Sequence, residues 1–191
     1  MDNHETGTSA MTTKEYFAKM KGGGASPPGV GVRELIWSWI GAALATGICS
    51  YLSSHFLEPR DLTLLIGSFG ASAVLVYGAV KSPLAQPRNV LGGHIVSGLV
   101  GVSCQQAFGS VVWLSAALAV SLAIVAMLAT RTLHPPGGAT ALIAVIGGAK
   151  IHNLGYFYAL VPAGAGALIL LIVALIVNNL AKERRYPEYW L

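Results

Sequence analysis

Residues 89–130 read NVLGGHIVSGLVGVSCQQAFGSVVWLSAALAVSLAIVAMLAT, and these 42 positions contain no charged side chain. The hydrocarbon core of a bilayer is about 30 Å thick and is crossed by roughly 20 apolar helical residues. The stretch is therefore long enough for two crossings, and the uncharged turn Phe108-Gly109-Ser110 divides it into two spans of ordinary length. This pattern predicts a membrane protein with helical spans.

The composition extends that prediction to the whole chain. Of its 191 residues, 54% are hydrophobic and 10% are charged, and the mean hydropathy is +0.63. A soluble domain carries about 25% charged residues, so a soluble enzyme, a nucleic-acid-binding protein and a disulfide-rich secreted domain are excluded. The two cysteines form no C-x-x-C pair, and we expect no cofactor or metal. Four further uncharged runs, 35–57, 62–80, 132–149 and 151–181, bring the expected total to about six membrane segments in an all-α polytopic protein.

Lysine and arginine are concentrated in alternate connections between the segments. An excess of these residues in short loops marks the cytoplasmic side. We therefore place residues 1–32, as a disordered tail, and residues 182–191 in the cytoplasm, on either side of a transmembrane domain at 33–181. The loop 81–88, with two cations and no acid, is predicted to be cytoplasmic, and the net acidic loop 58–61 is predicted to be outside. The cations assigned to the cytoplasmic side are Lys14, Lys19, Lys21, Arg33, Lys81, Arg88, Arg131, Lys182, Arg184 and Arg185, with Lys150 as the exception.

A weak internal repeat relates the second and fifth segments. Residues 70–75 read GASAVL, and residues 138–143 read GATALI. The two segments would run in opposite directions, so one interpretation is a 3+3 inverted repeat with a short or broken helix at the same place in each half. The alternative is that hexamers of small residues recur by chance where helices pack closely.

The sequence His134-Pro135-Pro136-Gly137-Gly138 interrupts the fifth segment. Consecutive prolines cannot continue a helix, but a proline can begin one. A helix from Pro136 to Ala149 would be only about 21 Å long. Its start is therefore expected below the membrane surface, where unshielded N–H groups and the helix dipole favour a small anion. A plain Pro-Gly helix start that allows close packing is the alternative.

Polar residues elsewhere in the apolar segments complete a predicted anion site. The stretch 67–72, GSFGAS, would be the counterpart from the other half, and we expect the two helix starts, at 67–70 and 136–138, to face one another near the middle of the membrane. Such small residues also serve as ordinary packing residues. An ionisable group inside a membrane segment, such as His94, is a functional candidate, with a hydrogen bond to a backbone carbonyl as the alternative. Arg131 adjoins His134, whereas Arg88 is first of all a cytoplasmic anchor. The predicted anion-binding or translocation residues are His134, Gly137, Gly138, Ala139, Thr140, Ser68, Gly70, Ser72, Arg88, His94 and Arg131.

The sign of the remaining charges points to the kind of solute. Residues 62–182 contain no Asp or Glu but contain five Lys or Arg. Cation transporters and carboxylate proton relays need acidic residues in or near the membrane. A pathway through this chain therefore suits an anion, and histidine is the only side chain within it that titrates near neutrality.

Three separated motifs in the same order, at 67–73, 82–89 and 134–140, resemble the HPP family of integral membrane proteins over about 34–180. That family takes its name from the His-Pro-Pro triplet and is described as having four spans. Plant chloroplast and cyanobacterial members are implicated in nitrite transport. The resemblance implies a transporter or channel for a small monovalent anion, nitrite first and nitrate second. We expect this multi-pass protein in the bacterial inner membrane. The expected partners are that anion and the lipid bilayer, with no nucleic acid and with a homo-oligomer left open.

Two other functions compete with transport. A structural or assembly role without a substrate would leave no polar cavity around His134. An intramembrane serine hydrolase, with Ser72 as nucleophile and His94 as base, would need those side chains within hydrogen-bond reach and an oxyanion hole. The glycine that follows the serine in such motifs is replaced here by Ala73, so we expect no enzyme.

Overall fold

The computed structural model describes residues 11–58 and 64–191. All regular secondary structure within those two ranges is helical. The chain divides into two compact units, Met1–Val30 and Gly31–Leu191.

The described part of the first unit contains one short helix, α1, at Thr13–Lys19. It begins at a capping box, in which the side chains of Thr12 and Glu15 each bond to the backbone N–H of the other residue. The N–H of Thr12 donates to the Glu15 carboxylate and lowers the pKa of that group. Residues 1–10 lie outside the described residues, and disorder in the rest of the predicted tail stays a prediction.

The described part of the second unit is built from seven helices, some of them continued by irregular turns. Prolines begin α4 and α6, where the missing N–H costs nothing. In chain order the elements are α2 (Val32–Leu52, continued by a π-helical turn at Ser53–Leu57), α3 (Ser68–Ala73, continued at Val74–Gly78), a 3₁₀ turn at Pro83–Ala85, α4 (Pro87–Phe108), α5 (Val112–Ala129), α6 (Pro135–Ile146), α7 (Gly148–His152), turns at Gly155–Ala159 and Leu160–Gly164, and α8 (Ala165–Leu180).

The helices confirm the prediction of an all-α polytopic membrane protein with two short segments. Three helical stretches, Val32–Leu57, Val112–Ala129 and Gly155–Leu180, are long and apolar enough to cross a membrane. Helix α4 has 22 residues and is also long enough. The apolar stretches Ser68–Gly78 and Pro135–Ile146 are shorter. The four long stretches match the four spans that the resemblance implied. Together with the two short stretches they give the six segments predicted from the uncharged runs.

Several connections meet at one end of the helical unit. Arg184, which follows α8, pairs with Glu34 in the first turn of α2 at 2.8 Å. Asn89, at the start of α4, donates to the carbonyl of Leu133, just before α6. Tyr186, two residues after Arg184, donates to the carbonyl of Ala85 in the loop before α4. Within the helical unit, the start of α2, the loop 81–88, the loop before α6 and the residues after α8 therefore lie at a common end. That this end faces the cytoplasm stays a prediction from the positive-inside rule.

Helix α4 packs closely against its neighbours because glycines line its inner face. A Cβ on Gly98 would lie 3.0 Å from Cα of Ala159, and one on Gly101 would lie 2.5 Å from the carbonyl oxygen of Ala141. Small residues of this kind let helix backbones approach one another in membrane proteins. The contacts of α4 with α6 and with the turn before α8 therefore depend on the missing side chains.

Replacing Gly101 with alanine is expected to destabilise the protein by about 1–3 kcal/mol, because the new methyl group meets backbone rather than a movable side chain. Gly47 in α2 is the matched control, since nothing lies within 4 Å of its Cβ position. Gly47→Ala should be neutral or stabilising by up to about 1 kcal/mol, through helix propensity alone. Unfolding in detergent checks both variants, and equal stability of the two would contradict the described packing.

Candidate functional site

Five polar side chains from three helices meet in the interior of the helical unit. Ser68 and Ser72 come from α3, His94 comes from α4, His134 immediately precedes α6, and Thr140 lies in α6. All five have 0% exposure, and we refer to them as the histidine cluster. Burying polar groups costs free energy unless they are hydrogen-bonded. Their mutual hydrogen bonds therefore decide how the three helices meet.

Ser72 joins the two imidazoles of the histidine cluster. Its Oγ lies 2.8 Å from Nε2 of His94 and 2.8 Å from Nε2 of His134. The ring centroids of the two histidines are 5.1 Å apart. A single hydroxyl is thus the bridge between two titratable rings.

The other two ring nitrogens bond outwards. Nδ1 of His134 donates to the carbonyl of Leu84 at 2.8 Å, because a carbonyl oxygen can only accept. Nδ1 of His94 lies 2.7 Å from Oγ1 of Thr140, which is itself 2.9 Å from Oγ of Ser68. The histidine cluster is therefore one continuous chain of hydrogen bonds between the Leu84 carbonyl and the Ser68 hydroxyl.

These contacts fix the relative direction of the two short helices. Ser72, in the second turn of α3, bonds to His134 just before α6, whereas Ser68, at the start of α3, bonds to Thr140 in the second turn of α6. Residue numbers rise along one helix as they fall along the other, so α3 and α6 are antiparallel and their first turns overlap. The predicted convergence of the two helix starts is confirmed by these bonds. Ser72 and Thr140, which are equivalent in the internal repeat, contact opposite nitrogens of His94.

Two glycines bring backbone close to the histidine cluster. A Cβ on Gly93 would lie 2.5 Å from Cβ of His134, and one on Gly137 would lie 2.7 Å from Oγ of Ser97. Ser97 is completely buried, and its hydroxyl is without a hydrogen-bond partner among the residues that the structure describes. Ser97 therefore supplies a spare donor beside the first turn of α6.

Gly138 and Ala139 lie on another face of α6. Both are half-buried and line an apolar groove beside Val120 and Leu142. Successive helical residues are separated by roughly 100° around the axis, so these two cannot share the face that Thr140 turns to the histidine cluster. The structure does not bring them together with the other predicted site residues.

Gly70, Arg88 and Arg131 also lie apart from the histidine cluster. Gly70 is exposed in a groove beside Ser38 of α2. Arg88 is half-buried and donates to the carbonyl of Thr130 at 3.0 Å. Arg131 is exposed and has a φ of 56°, in the left-handed region that side chains disfavour. Both arginines belong to the loop end of the unit, where positive-inside anchors are expected.

Three participants in this region were absent from the predicted site. Leu84 contributes only its carbonyl, which no side-chain pattern reveals. Tyr158 donates its hydroxyl to the carbonyl of Thr140 at 2.9 Å, from a turn that sequence alone does not place nearby. Ser97 could have been found, because a residue three positions after His94 lies on the same face of a helix.

Residues 186–189, the C-terminal strap, cover the loop 83–86 that carries Leu84. Burial raises the pKa of the Tyr186 phenol, which stays protonated and so remains a donor. The loop is therefore held between the C-terminal strap and the histidine cluster. The bonds are Tyr186 Oη to the Ala85 carbonyl at 2.8 Å, Tyr189 Oη to the Pro83 carbonyl at 2.9 Å, and Glu188 N to Gln86 Oε1 at 2.8 Å.

The histidine cluster offers hydrogen-bond donors and protonatable nitrogens in a buried setting. Within residues 11–58 and 64–191, no three His, Cys, Asp or Glu side chains are placed to share a metal ion. The apolar helices that enclose the cluster define an integral, multi-pass membrane protein. The chain belongs to the HPP transmembrane family, because the family described as "HPP, transmembrane region" matches residues 27–187.

Two curated transmembrane proteins of Dictyostelium discoideum are similar to this chain. One is 46% identical over 179 residues and the other 45% identical over 183 residues, in each case across 92% of this chain. The chain spans 57% and 63% of the length of these relatives. No solved structure matches it. Because these relatives are from Dictyostelium, they do not point to the bacterial inner membrane, and that location stays a prediction.

Proposed function

We propose that this chain is a transporter or channel for a small monovalent anion, with nitrite as the first candidate and nitrate as the second. The histidine cluster carries the proposal, because it sets two imidazoles at the overlapping first turns of α3 and α6. Helix N-termini favour negative charge, and a protonated imidazole adds a full positive charge. An anion that has lost its hydration shell needs such compensation.

Hydroxyl donors around the two rings suit a small oxyanion. Ser72 and Thr140 bond directly to His94, and Ser97 has a buried hydroxyl without a bond of its own among the described residues. We place the anion at this face of α6, beside Gly137, rather than at Gly138 and Ala139 in the apolar groove.

The charge pattern supports an anion over a cation. Residues 64–182 of the described chain contain no Asp or Glu, so a cation would meet no carboxylate on its way. The charged side chains in that range are all Lys or Arg. We further propose the lipid bilayer as the protein's surroundings, the bacterial inner membrane as its location and a homo-oligomer as its assembly. Imaging of a tagged protein and its mass in lipid discs test the last two.

Uptake into proteoliposomes tests the proposal, with nitrite, nitrate, formate and chloride measured side by side. We expect protein-dependent nitrite and nitrate flux, and His94→Gln should lower it about tenfold or more, since a hydrogen bond to a charged group contributes about 1.5–3 kcal/mol. His152→Gln is the matched control, because His152 bonds to the Val145 carbonyl, away from the histidine cluster. If none of the four anions enters faster than into protein-free vesicles, transport is wrong and a structural role is favoured.

One contact favours a second candidate, the intramembrane serine hydrolase. Ser72 Oγ lies 2.8 Å from Nε2 of His94, within the reach that a serine nucleophile and its base require. An alkyl fluorophosphonate that labels Ser72 in the folded protein would support hydrolysis. We expect no labelling, because the second imidazole, of His134, also occupies the hydroxyl.

A further inference from the structure

We infer that His94, Ser72 and His134 form a directed proton relay, in which the serine hydroxyl passes one proton between the two imidazoles. The inference deepens the proposed transport function by naming the groups that would carry a coupled proton, and its transport test rests on that function. The evidence is the order of donors and acceptors along the histidine cluster.

The Leu84 carbonyl sets the direction of the chain when both rings are neutral. It can only accept, so Nδ1 of His134 carries the hydrogen and Nε2 of His134 is left as an acceptor. The single hydroxyl hydrogen of Ser72 must then point to His134, which leaves Ser72 Oγ as the acceptor for Nε2–H of His94. Nδ1 of His94 is in turn left as an acceptor, and Thr140 can donate to it only by turning its hydrogen away from Ser68, to which it donates at 2.9 Å in the structure. One carbonyl thereby fixes the tautomers of both histidines.

The cluster can take up one excess proton without losing a bond. When His94 is an imidazolium, its Nδ1–H donates to Thr140, and Thr140 turns its own hydrogen to Ser68 at 2.9 Å. Transfer then breaks the Nε2–H bond of His94 and the O–H bond of Ser72. It forms a new O–H bond on Ser72 and a new Nε2–H bond on His134. Ser72 is a neutral hydroxyl before and after, and the positive charge has moved from His94 to His134.

A second excess proton does not fit. Both Nε2–H groups would then point at Ser72 Oγ, and two charged rings would have centroids only 5.1 Å apart. The pair therefore carries at most one excess proton at a time.

The other titratable or charged side chains of the packed helices and adjoining loops bond elsewhere, are exposed, or are buried thiols. The tyrosines bond or stack away from the imidazoles: Tyr158 with the Thr140 carbonyl, Tyr77 with the Leu170 carbonyl, Tyr156 with Ser103 and Tyr51 with His55. Glu34 pairs with Arg184, Arg33 pairs with Glu183, Arg88 donates to the Thr130 carbonyl and His152 bonds to the Val145 carbonyl. Lys81, Arg131 and Lys150 are exposed, and Cys49 and Cys104 are buried thiols.

Nitrogen-15 NMR of histidine-labelled protein in lipid discs tests the relay without any transport. At alkaline pH we expect His134 as the Nδ1–H tautomer and His94 as the Nε2–H tautomer, assigned with His94→Gln and His134→Gln. As the pH falls, the two rings should show partial protonation together, with one proton shared between them. A neutral His94 in the Nδ1–H form, or one full proton on each ring, would overturn the relay.

Proton and anion uptake by Ser72→Ala provide the second test. Ser72→Ala should lower the rate of nitrate-dependent proton uptake by about a hundredfold, at the lower end of what a positioned proton-transfer group contributes to a rate, and so lower the proton-to-nitrate ratio. Ser115→Ala is the matched control, because Ser115 is equally buried but bonds to the Cys104 carbonyl, away from the histidine cluster. An unchanged proton-to-nitrate ratio in Ser72→Ala would contradict the relay. If the unaltered protein shows no anion flux, only the transport proposal is contradicted. The NMR measurement of the two histidine tautomers then still tests the relay.

Discussion

Anion flux through the unaltered protein is expected to rise on acidification, and His134→Ala should remove most of that rise. His134 is buried with Ser72 and the Leu84 carbonyl as its partners, so without its imidazole the positive charge can no longer reach the residue directly before α6. Protonation of histidine is the change available near neutrality, and it adds the positive charge that a dehydrated anion needs. Nitrate uptake at about pH 5.5 and about pH 7.5 measures the effect, because these values lie on either side of the pKa of about 6.5 that a histidine has in water.

Nitrate is the anion of choice for this measurement. Undissociated nitrous acid can cross lipid unaided, so nitrite would also enter faster at low pH without the protein. Nitrate has no neutral acid form in that pH range. His55→Ala is the matched control, since His55 is exposed and stacks on Tyr51. The pH dependence of His55→Ala should equal that of the unaltered protein. Identical nitrate flux with and without the His134 imidazole at both pH values would show that His134 only begins a helix.

Arg184→Ala is expected to be the most destabilising of the substitutions considered, at about 3–5 kcal/mol. The side chain of Arg184 is 3% exposed and pairs with Glu34 at 2.8 Å. It also donates to Asn178 Oδ1 and Ser38 Oγ, so it ties the residues after α8 to the first two turns of α2. Removal of the cation leaves the Glu34 carboxylate and these polar groups without their partner, and that loss costs more than the ion pair itself contributes.

The chain provides an internal control for Arg184. Arg33 pairs with Glu183 at 3.1 Å between the same two segments, but the two side chains are 85% and 58% exposed. Arg33→Ala should therefore cost only about 0–1 kcal/mol. Both cysteines are buried, so a thiol-reactive fluorescent dye reports unfolding directly in detergent. Equal losses in the two variants would show that the Arg184 bonds do not secure α2 to α8.

The number and position of the membrane segments could be predicted from the sequence because charge is costly inside a bilayer. The uncharged runs end close to the ends of the helices, and the prolines after His134 mark the start of α6. These are local signals, and each needs only one stretch of chain.

Which residues form the histidine cluster could not be predicted fully, because a local sequence pattern does not show which face of a helix turns inward or which helices touch. Helices such as α5 are apolar all round, so their sequence does not say which face turns inward. Gly138 and Ala139 were grouped with Thr140 because all three belong to the start of α6, although they lie on another face of that helix. The contact of Ser72 with His134 joins residues 62 positions apart. The convergence of the helix starts was predicted correctly because it needs only opposite helix directions.

The C-terminal strap connects a surface event to an interior side chain. Its bonds hold the loop whose Leu84 carbonyl orients the His134 ring. Two hydrogen bonds, from Tyr186 to the Ala85 carbonyl and from His134 to the neighbouring Leu84 carbonyl, therefore connect the strap to the imidazole. Force or cleavage at the strap would be transmitted inward as a change in ring orientation. A purification tag fused after Leu191 would start two residues from Tyr189, within reach of this layer. Tags are therefore better placed before residue 1, where they cannot pull on the strap and change the orientation of the His134 ring.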